Sequence, residues 1–383
     1  MENDPKKILL IDDSALMRRV MSDIINHIDG FTVAYLAADG EEGYAYLSKQ
    51  NDIDVVMTDI DMPKMDGLTL IKKSKEAGVV APFIVFSARE DSYAVFTALD
   101  LGAIEFIRKP EHIFQKDVQR YAEKIKKALC MAVEVKERTL HKAEAACTME
   151  PEKPVIIKKK HRQKNGKKLV ALVCSTGGPR ALQSVIPKLP KNLAAPVVLV
   201  QHMPEGFTKT LAMRLNEQSA VSVKEAAEGD VLKNGHVYIA KGGTHLALHE
   251  TAKGCEVFFD ETPPIGGLKP CGNVMLSSLS HVSYDEIICV ILTGMGADGT
   301  KGTQELAKHK PVYVIAQDEA SSTVYGMPKA IRDAGLCDCV CDLQQIAEEI
   351  TKKVGVQESI EVNIWRFLLM NQKNIYRHSM IRC

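Results

Sequence analysis

Short continuous apolar runs, rich in Val, Ile and Leu, alternate along this chain with stretches whose apolar residues recur at helical spacing. Lys7–Ile11, Phe31–Leu36, Ile53–Thr58, Pro82–Phe86 and Ile104–Arg108 are runs of this kind in the first third. Runs without a polar alternate residue predict parallel strands covered on both faces. Between them, 15–28 carries Leu16, Val20, Ile24 and Ile28 at intervals of four, which predicts an amphipathic helix with that stripe inward. Five such strand–helix units with short loops make a doubly wound sheet. Strand signals then fade. Residues 115–146 lack Gly and Pro and read as helix, followed by Pro151-Glu152-Lys153-Pro154 and the basic run Lys158–Arg162 with Lys164, Lys167 and Lys168. From 168 the alternation resumes with Leu169–Cys174, Pro196–Gln201 and Ile287–Leu292. The expected fold is α/β, two doubly wound parallel-sheet domains over 5–126 and 168–355. They are joined by a charged, helical and basic linker over 127–167, and a tail of undecided role spans 356–383.

Polar residues stand where the apolar runs end. Leu169–Cys174 runs into Ser175-Thr176-Gly177-Gly178-Pro179, Pro196–Gln201 into His202, and Ile287–Leu292 into Thr293-Gly294-Met295-Gly296-Ala297-Asp298-Gly299. Open parallel sheets present their reactive groups beyond the carboxyl ends of the strands. Ser175, His202 and Asp298 are therefore candidates to converge as nucleophile, base and orienter. Taken singly, a Ser in a Gly-rich turn is an ordinary helix cap, a His an ordinary structural residue, and Asp-Gly a turn. The conjunction carries the reading. Val173 stands where the G-x-S-x-G elbow needs its first Gly, and the order Ser, His, Asp is not that of α/β-hydrolases, which disfavours an ordinary lipase or esterase.

In the first third, Asp12 and Asp13 follow the first run, Asp59 the third, Ser87 the fourth and Lys109 the fifth. Three carboxylates at one rim repel one another unless a hard cation such as Mg²⁺ neutralises them. A hydroxyl and an ammonium beside them suit a phosphoryl group.

Composition narrows the classes. Lys plus Arg equals Asp plus Glu at 49 each in 383 residues, so no global field favours nucleic acid or anionic lipid. No apolar run approaches the roughly 20 residues that span a bilayer, and the first residues lack a signal-peptide core. A cytoplasmic protein without membrane insertion is expected. The ten cysteines are scattered apart from Cys337, Cys339 and Cys341, whose spacing on a strand predicts three sulfurs on one face. That spacing is not the paired C-x-x-C turn of zinc sites.

Leu10-Ile11-Asp12-Asp13-Ser14, Thr58–Gly67, Ser87-Ala88 and Lys109-Pro110 resemble the receiver domain of two-component response regulators. The resemblance implies that Asp59 accepts the phosphoryl group and that Asp12, Asp13 and Asp59, with the Asp61 carbonyl, hold Mg²⁺. It also implies that Ser87 and Lys109 sense the phosphoryl oxygens, that Phe106 is the aromatic switch, and that the Lys109–Pro110 bond is cis. Cys174–Pro179, Gln201–Thr208, Gly235–Ala240, Leu292–Gly299, Ala316–Ser322 and Tyr325–Pro328 resemble the chemotaxis response-regulator protein-glutamate methylesterases. That family implies Ser175, His202 and Asp298 as catalytic residues, and backbone N–H groups near Thr176 and Met295 as oxyanion donors. It further implies methyl-accepting chemotaxis receptors as substrate, a chemotaxis histidine kinase as phosphodonor, methanol as product, glutamine deamidation as a second activity, and no cofactor for ester hydrolysis. The chain departs from the family at Lys241-Gly242-Gly243, where a Pro-Gly turn is usual, and across Thr262–Val274, which keeps a double proline but lacks the polar, Arg- or His-containing stretch and the Ser-Val-Asp that usually surround it. Gly266-Gly267 in place of hydrogen-bonding side chains bears on substrate contacts and not on the triad. His245 and His249 share one side of a strand-like segment and read as structural. Two other classes remain for comparison: a receiver-controlled binding protein whose catalysis has decayed, and a DNA-binding regulator. No helix-turn-helix or basic recognition helix follows 168 to support the latter.

Overall fold

The computed structural model describes residues 4–50, 52–87, 92–109, 115–145, 155–156 and 166–357. Pro110, the linker segments 146–154 and 157–165, and the tail from 358 onward lie outside the described residues, as does the side chain of Ser87.

Strands β1 (Lys6–Ile11), β2 (Phe31–Ala37), β3 (Val55–Asp59), β4 (Phe83–Ser87) and β5 (Glu105–Arg108) form a sheet in the order β2-β1-β3-β4-β5. Every pairing in it is parallel. Helices α1 (Ala15–Asn26), α2 (Gly40–Leu47), α3 (Gly67–Glu76), α4 (Ser92–Leu101) and α5 (Gln115–Ala145) cover the two faces. The apolar runs are continuous because both faces are buried: Leu9 and Ile11 enter one core while Ile8 and Leu10 enter the other. α5 continues without interruption for 31 residues.

The second sheet contains β6 (Val155–Ile156), β7 (Lys168–Cys174), β8 (Val197–Gln201), β9 (Ser222–Glu225) and β10 (His236–Ile239). A hairpin of β11 (His245–Thr251) and β12 (Gly254–Asp260) stands apart from it, and β13 (Glu286–Ile291), β14 (Val312–Gln317) and β15 (Cys339–Cys341) complete it. Its order is β6-β15-β14-β13-β7-β8-β10-β9, seven parallel strands with β6 added antiparallel at one edge. Helices α6 (Gly178–Val185), α7 (Phe207–Gln218), α8 (Gly272–Ser278), α9 (Thr300–His309), α10 (Met327–Asp333) and α11 (Ile346–Val354) flank it. β7 is buried at every position, with Leu169, Ala171 and Val173 on one side and Val170, Leu172 and Cys174 on the other. Among the described residues no helix is long and apolar enough to cross a membrane.

Two expectations need correction. In α1 the fully buried side chains are Met21 and Ile25, with Met17 packed beside them; of the expected stripe, Ile24 and Ile28 enter the same core, whereas Leu16 at the start of the helix is 73% exposed. Both series repeat every four residues and both are apolar, so spacing alone does not choose between them. The polar anchors do: Arg18 donates to the Asp12 carbonyl at 2.6 Å, and Ser14 caps the first turn through the Met17 N–H. Of the three clustered cysteines, Cys339 and Cys341 share one core, but Cys337 lies in the opposite one. β15 begins only at Cys339, so the two-residue alternation does not reach back to Cys337.

The two units touch along α4, β5 and α5. Phe106 packs on Phe207 with ring centroids 4.7 Å apart, and Arg214 lies over Tyr93 while pairing with Asp100. Gln183 donates to Asp100 at 2.8 Å, Ser92 and Thr210 share a hydrogen bond of 2.8 Å, and Arg138 donates to the Thr323 carbonyl.

The corrected α1 stripe is testable by urea denaturation. Ile25→Ala is expected to cost about 2–5 kcal/mol, the range for deleting a buried aliphatic side chain. Leu16→Ala is expected to stay within about 0.5 kcal/mol. Comparable losses from both would contradict this packing.

Candidate active site and acidic pocket

β7 is the hinge of the second sheet's topology. The chain leaves it for β8 on one side and later returns to β13 on the other, so the loops after these strands open a crevice at the switch point. Ser175 follows β7, His202 follows β8, and Asp298 lies seven residues beyond β13. The structure brings all three to one cavity of about 830 Å³, between the carboxyl edge of this sheet and the amino-terminal unit.

Buried polar side chains that end the apolar strands hold the rim. Gln201 donates to the carbonyls of Ser175 at 2.9 Å and His202 at 3.2 Å. Thr293 donates through its hydroxyl to the Thr176 carbonyl, accepts from the Val324 N–H, and receives the Ser175 N–H on its carbonyl. Gly294 is required where it stands, since a Cβ there would lie 2.7 Å from the Ser175 Cβ.

His202 Nε2 donates to Asp298 Oδ2 at 2.7 Å. That bond fixes the neutral ring with its proton on Nε2 and leaves the Nδ1 lone pair as its acceptor. Ser175 Oγ makes no hydrogen bond among the described residues. The Asp298 carboxylate is buried and takes three further donors: the Gly272 N–H at 2.5 Å, the Asn273 N–H at 3.0 Å and the Cys271 thiol at 3.2 Å. Burial pushes this carboxyl up, but the His202 hydrogen bond and charge, with the Gly272 and Cys271 donors, outweigh it and hold it down at about 2. Burial first, then the adjacent Asp298 charge, pushes the Cys271 thiol up to about 11, so it stays a neutral donor. The Thr176 and Met295 backbone N–H groups are unengaged among the described residues, and Met295 is 45% exposed at the cavity mouth.

The amino-terminal unit supplies one wall. The Thr176 hydroxyl donates to the Glu105 carboxyl of β5 at 2.6 Å, and Arg108, Lys124 and Lys127 line the same cavity. Burial pushes the Glu105 carboxyl up, against the Thr176 and Phe106 hydrogen bonds and the His202 charge.

At the carboxyl edge of the first sheet, Asp12, Asp13 and Asp59 bring one oxygen each within 4.8 Å of one another. Lys109 donates to Asp12 at 2.8 Å and to Asp59. Burial pushes the Asp59 carboxyl up despite the Lys109 contact; burial also lowers Lys109, but its hydrogen bonds to Asp12 and Asp59 outweigh that and raise it. Three clustered carboxylates are an oxygen-only donor set of the kind a hard divalent cation takes. Phe106 is half-buried against Phe207.

Several of these residues escape the sequence reading. Gln201 and Thr293 carry a signal, being polar residues that end buried strands. Gly272 and Asn273 lie in the segment that departs from the family pattern, yet they hold Asp298. Nothing local distinguishes Glu105, whose role depends on packing between units. His245 is wholly buried with Nε2 3.3 Å from the Pro263 carbonyl, His249 is exposed against Phe258, and neither lines the cavity.

Residues 8–116 match the response regulator receiver domain family, and residues 170–350 match the CheB methylesterase family. A protein-glutamate methylesterase/protein-glutamine glutaminase of Oceanobacillus iheyensis is 39% identical over 91% of this chain and 99% of its own length. One of the same name from Bacillus subtilis is 37% identical over 91% and 98% respectively. The crystal structure of the Thermotoga maritima CheB methylesterase catalytic domain is 43% identical, covers 49% of this chain and 98% of its own, and superposes with a TM-score of 0.47. With matches to both domain families in sequence and relatives spanning nearly its whole length, this chain belongs to the protein-glutamate methylesterase/protein-glutamine glutaminase family.

Proposed function

We propose that this protein hydrolyses γ-methyl esters of glutamyl residues on methyl-accepting chemotaxis receptors, releases methanol, and also deamidates receptor glutamines. In this reading it works in the cytoplasm during adaptation in chemotaxis. The observation that carries it is the His202–Asp298 hydrogen bond of 2.7 Å at the rim that also bears Ser175.

Ser175 Oγ attacks the γ-carbonyl carbon while His202 Nδ1 takes its proton, and Asp298 stabilises the imidazolium. The tetrahedral oxygen gains negative charge that the free N–H groups of Thr176 and Met295 are suited to receive. Collapse breaks the carbon–oxygen ester bond, His202 returns its proton to the departing methoxide, and methanol leaves an acyl-enzyme. Water then attacks with His202 again as base, freeing the glutamate carboxylate and Ser175. With glutamine the same steps release ammonia.

Control falls to the amino-terminal domain. Asp59 is the phosphoacceptor, taking its phosphoryl group from a chemotaxis histidine kinase. Asp12, Asp13 and Asp59, with the Asp61 carbonyl, would hold Mg²⁺, which would screen their charge as an anionic donor approaches. Ser87 and Lys109 answer the phosphoryl oxygens, and Phe106 relays the change. In the unphosphorylated form β5 and α4 cover the rim through Glu105, Phe106 and Asp100, which obstructs a bulky helical receptor. Phosphorylation then shifts the population toward an open form.

Ser175→Ala should lower methanol release by about 10⁴-fold or more, as expected for a triad member, with an unchanged melting temperature. Near-normal release by this variant would sink the assignment. Asp59→Asn should take up no phosphoryl group from a small phosphodonor, since an amide is not the anionic nucleophile the transfer needs. Mass spectrometry decides this, and a phosphoryl group at position 59 of the variant, or on Ser87, would overturn the receiver reading.

A further inference from the structure

Neither α8 nor α9 carries its own side-chain cap: Cys271 and Gly299 occupy the N-cap positions without a capping hydrogen bond. Each helix instead takes its cap from the other. Asp298, one residue before the Gly299 cap of α9, accepts from the first two N–H groups of α8, those of Gly272 and Asn273. Asn273 in turn sends its carboxamide oxygen across to the N–H groups of Gly299 at 3.1 Å and Gly302 at 2.7 Å. The two helices meet without a spacer, since a Cβ on Gly302 would stand 2.7 Å from the Asn273 Cα. Gly272 sits equally close, where a Cβ would be 2.5 Å from Val173 and 3.0 Å from Asp298 Oδ2.

We propose that Asn273 is a positioning residue for Asp298: by clasping the Gly299 and Gly302 N–H groups it fixes the turn that aims the Asp298 carboxylate at His202. The inference rests on the reading of Asp298 as the orienter of His202. Gly299 has φ +93°, a left-handed conformation whose N–H must be engaged to hold the turn in one place. Without the Asn273 oxygen, the Gly299 and Gly302 N–H groups lose that partner, and the turn carrying Asp298 is tied to α8 only through the Asp298 carboxylate itself. Among the described residues, the hydrogen bonds that Asn273 makes beyond its own helix go to Asp298, Gly299 and Gly302, and none reaches Ser175 or His202. Its effect is on the geometry of the base, so it belongs to the chemical step and not to substrate binding.

The test measures kcat and KM for methanol release from methylated receptor by the phosphodonor-treated full-length protein. Wild type, Asn273→Ala, Asn273→Asp and Asn273→Ser are compared, with melting curves for each. Asn273→Ala should lose about 10–100-fold in kcat with KM within about 2-fold, the scale of a displacement near 1 Å at a reacting group. Asn273→Asp keeps an oxygen for both N–H groups and should return to within about 3-fold of wild type. If the alanine variant is unfolded at the assay temperature, Asn273→Ser, whose oxygen falls one bond short, carries the comparison and should still lose kcat at unchanged KM. Wild-type kcat in the folded alanine or serine variant would overturn the proposal. So would a loss that aspartate does not restore, or one that only tracks the unfolded fraction. An inactive wild type would instead defeat the functional reading on which the inference rests, so the two failures are told apart.

Discussion

A carboxylate buried against an apolar sheet is tolerated only if every lone pair facing the interior meets a donor. Asp298 imposes that constraint on the whole carboxy-terminal domain. One donor is the His202 ring, and the others come from Cys271, Gly272 and Asn273 at the start of α8. Meeting them requires α8 and α9 to approach without side chains between them, hence Gly272 and Gly302 at the contact. It also requires His202 to stand at the end of β8, where Gln201 ties its carbonyl to that of Ser175. The arrangement that makes the charge bearable is the same one that leaves the His202 ring able to accept a proton on its other nitrogen.

A second carboxyl, the half-buried Glu105, follows the opposite logic. Among the described residues its hydrogen-bond partners are the Thr176 hydroxyl and the Phe106 N–H, neither of them cationic, and burial pushes it up. A carboxyl raised in this way favours the packed arrangement while it keeps its proton and disfavours it as pH rises through its raised value. The contact between domains therefore carries an electrostatic cost, offset by the Phe106–Phe207 stack and the Arg214–Asp100 pair. A surface held together by the Phe106–Phe207 stack, arginines over aromatic rings, a few polar bonds and a half-buried acid is suited to opening, in contrast to the sheet cores on either side.

Much of this was legible in the chain, because buried parallel strands announce themselves as unbroken apolar runs and their ends mark the sheet's carboxyl edge. Ser175, His202, Asp298, Asp12, Asp13, Asp59 and Lys109 were readable on that ground. The start of the α1 stripe was not, since Leu16 and Met17 belong to two apolar series of one spacing, and Arg18 and Ser14 decide between them. The three cysteines misled for a related reason: alternation holds inside a strand, and Cys337 precedes it. The Cys271-Gly272-Asn273 segment lies where the chain departs from the family pattern. Its contribution is made through backbone N–H groups and one carboxamide, which a side-chain pattern does not reveal. Glu105 was invisible because its partner is 71 residues away in another domain.

The measurement that bears most directly on this account is the rate of methanol release from methylated receptor by the full-length protein, before and after a small phosphodonor with Mg²⁺. A site built around Asp298 and covered by its own receiver predicts measurable release that rises on phosphorylation. The rise should come with greater hydrogen exchange at the amides of Phe207–Gln218. No release in either state would contradict the enzyme. A rise with unchanged exchange along that helix would contradict the covering contact as the brake.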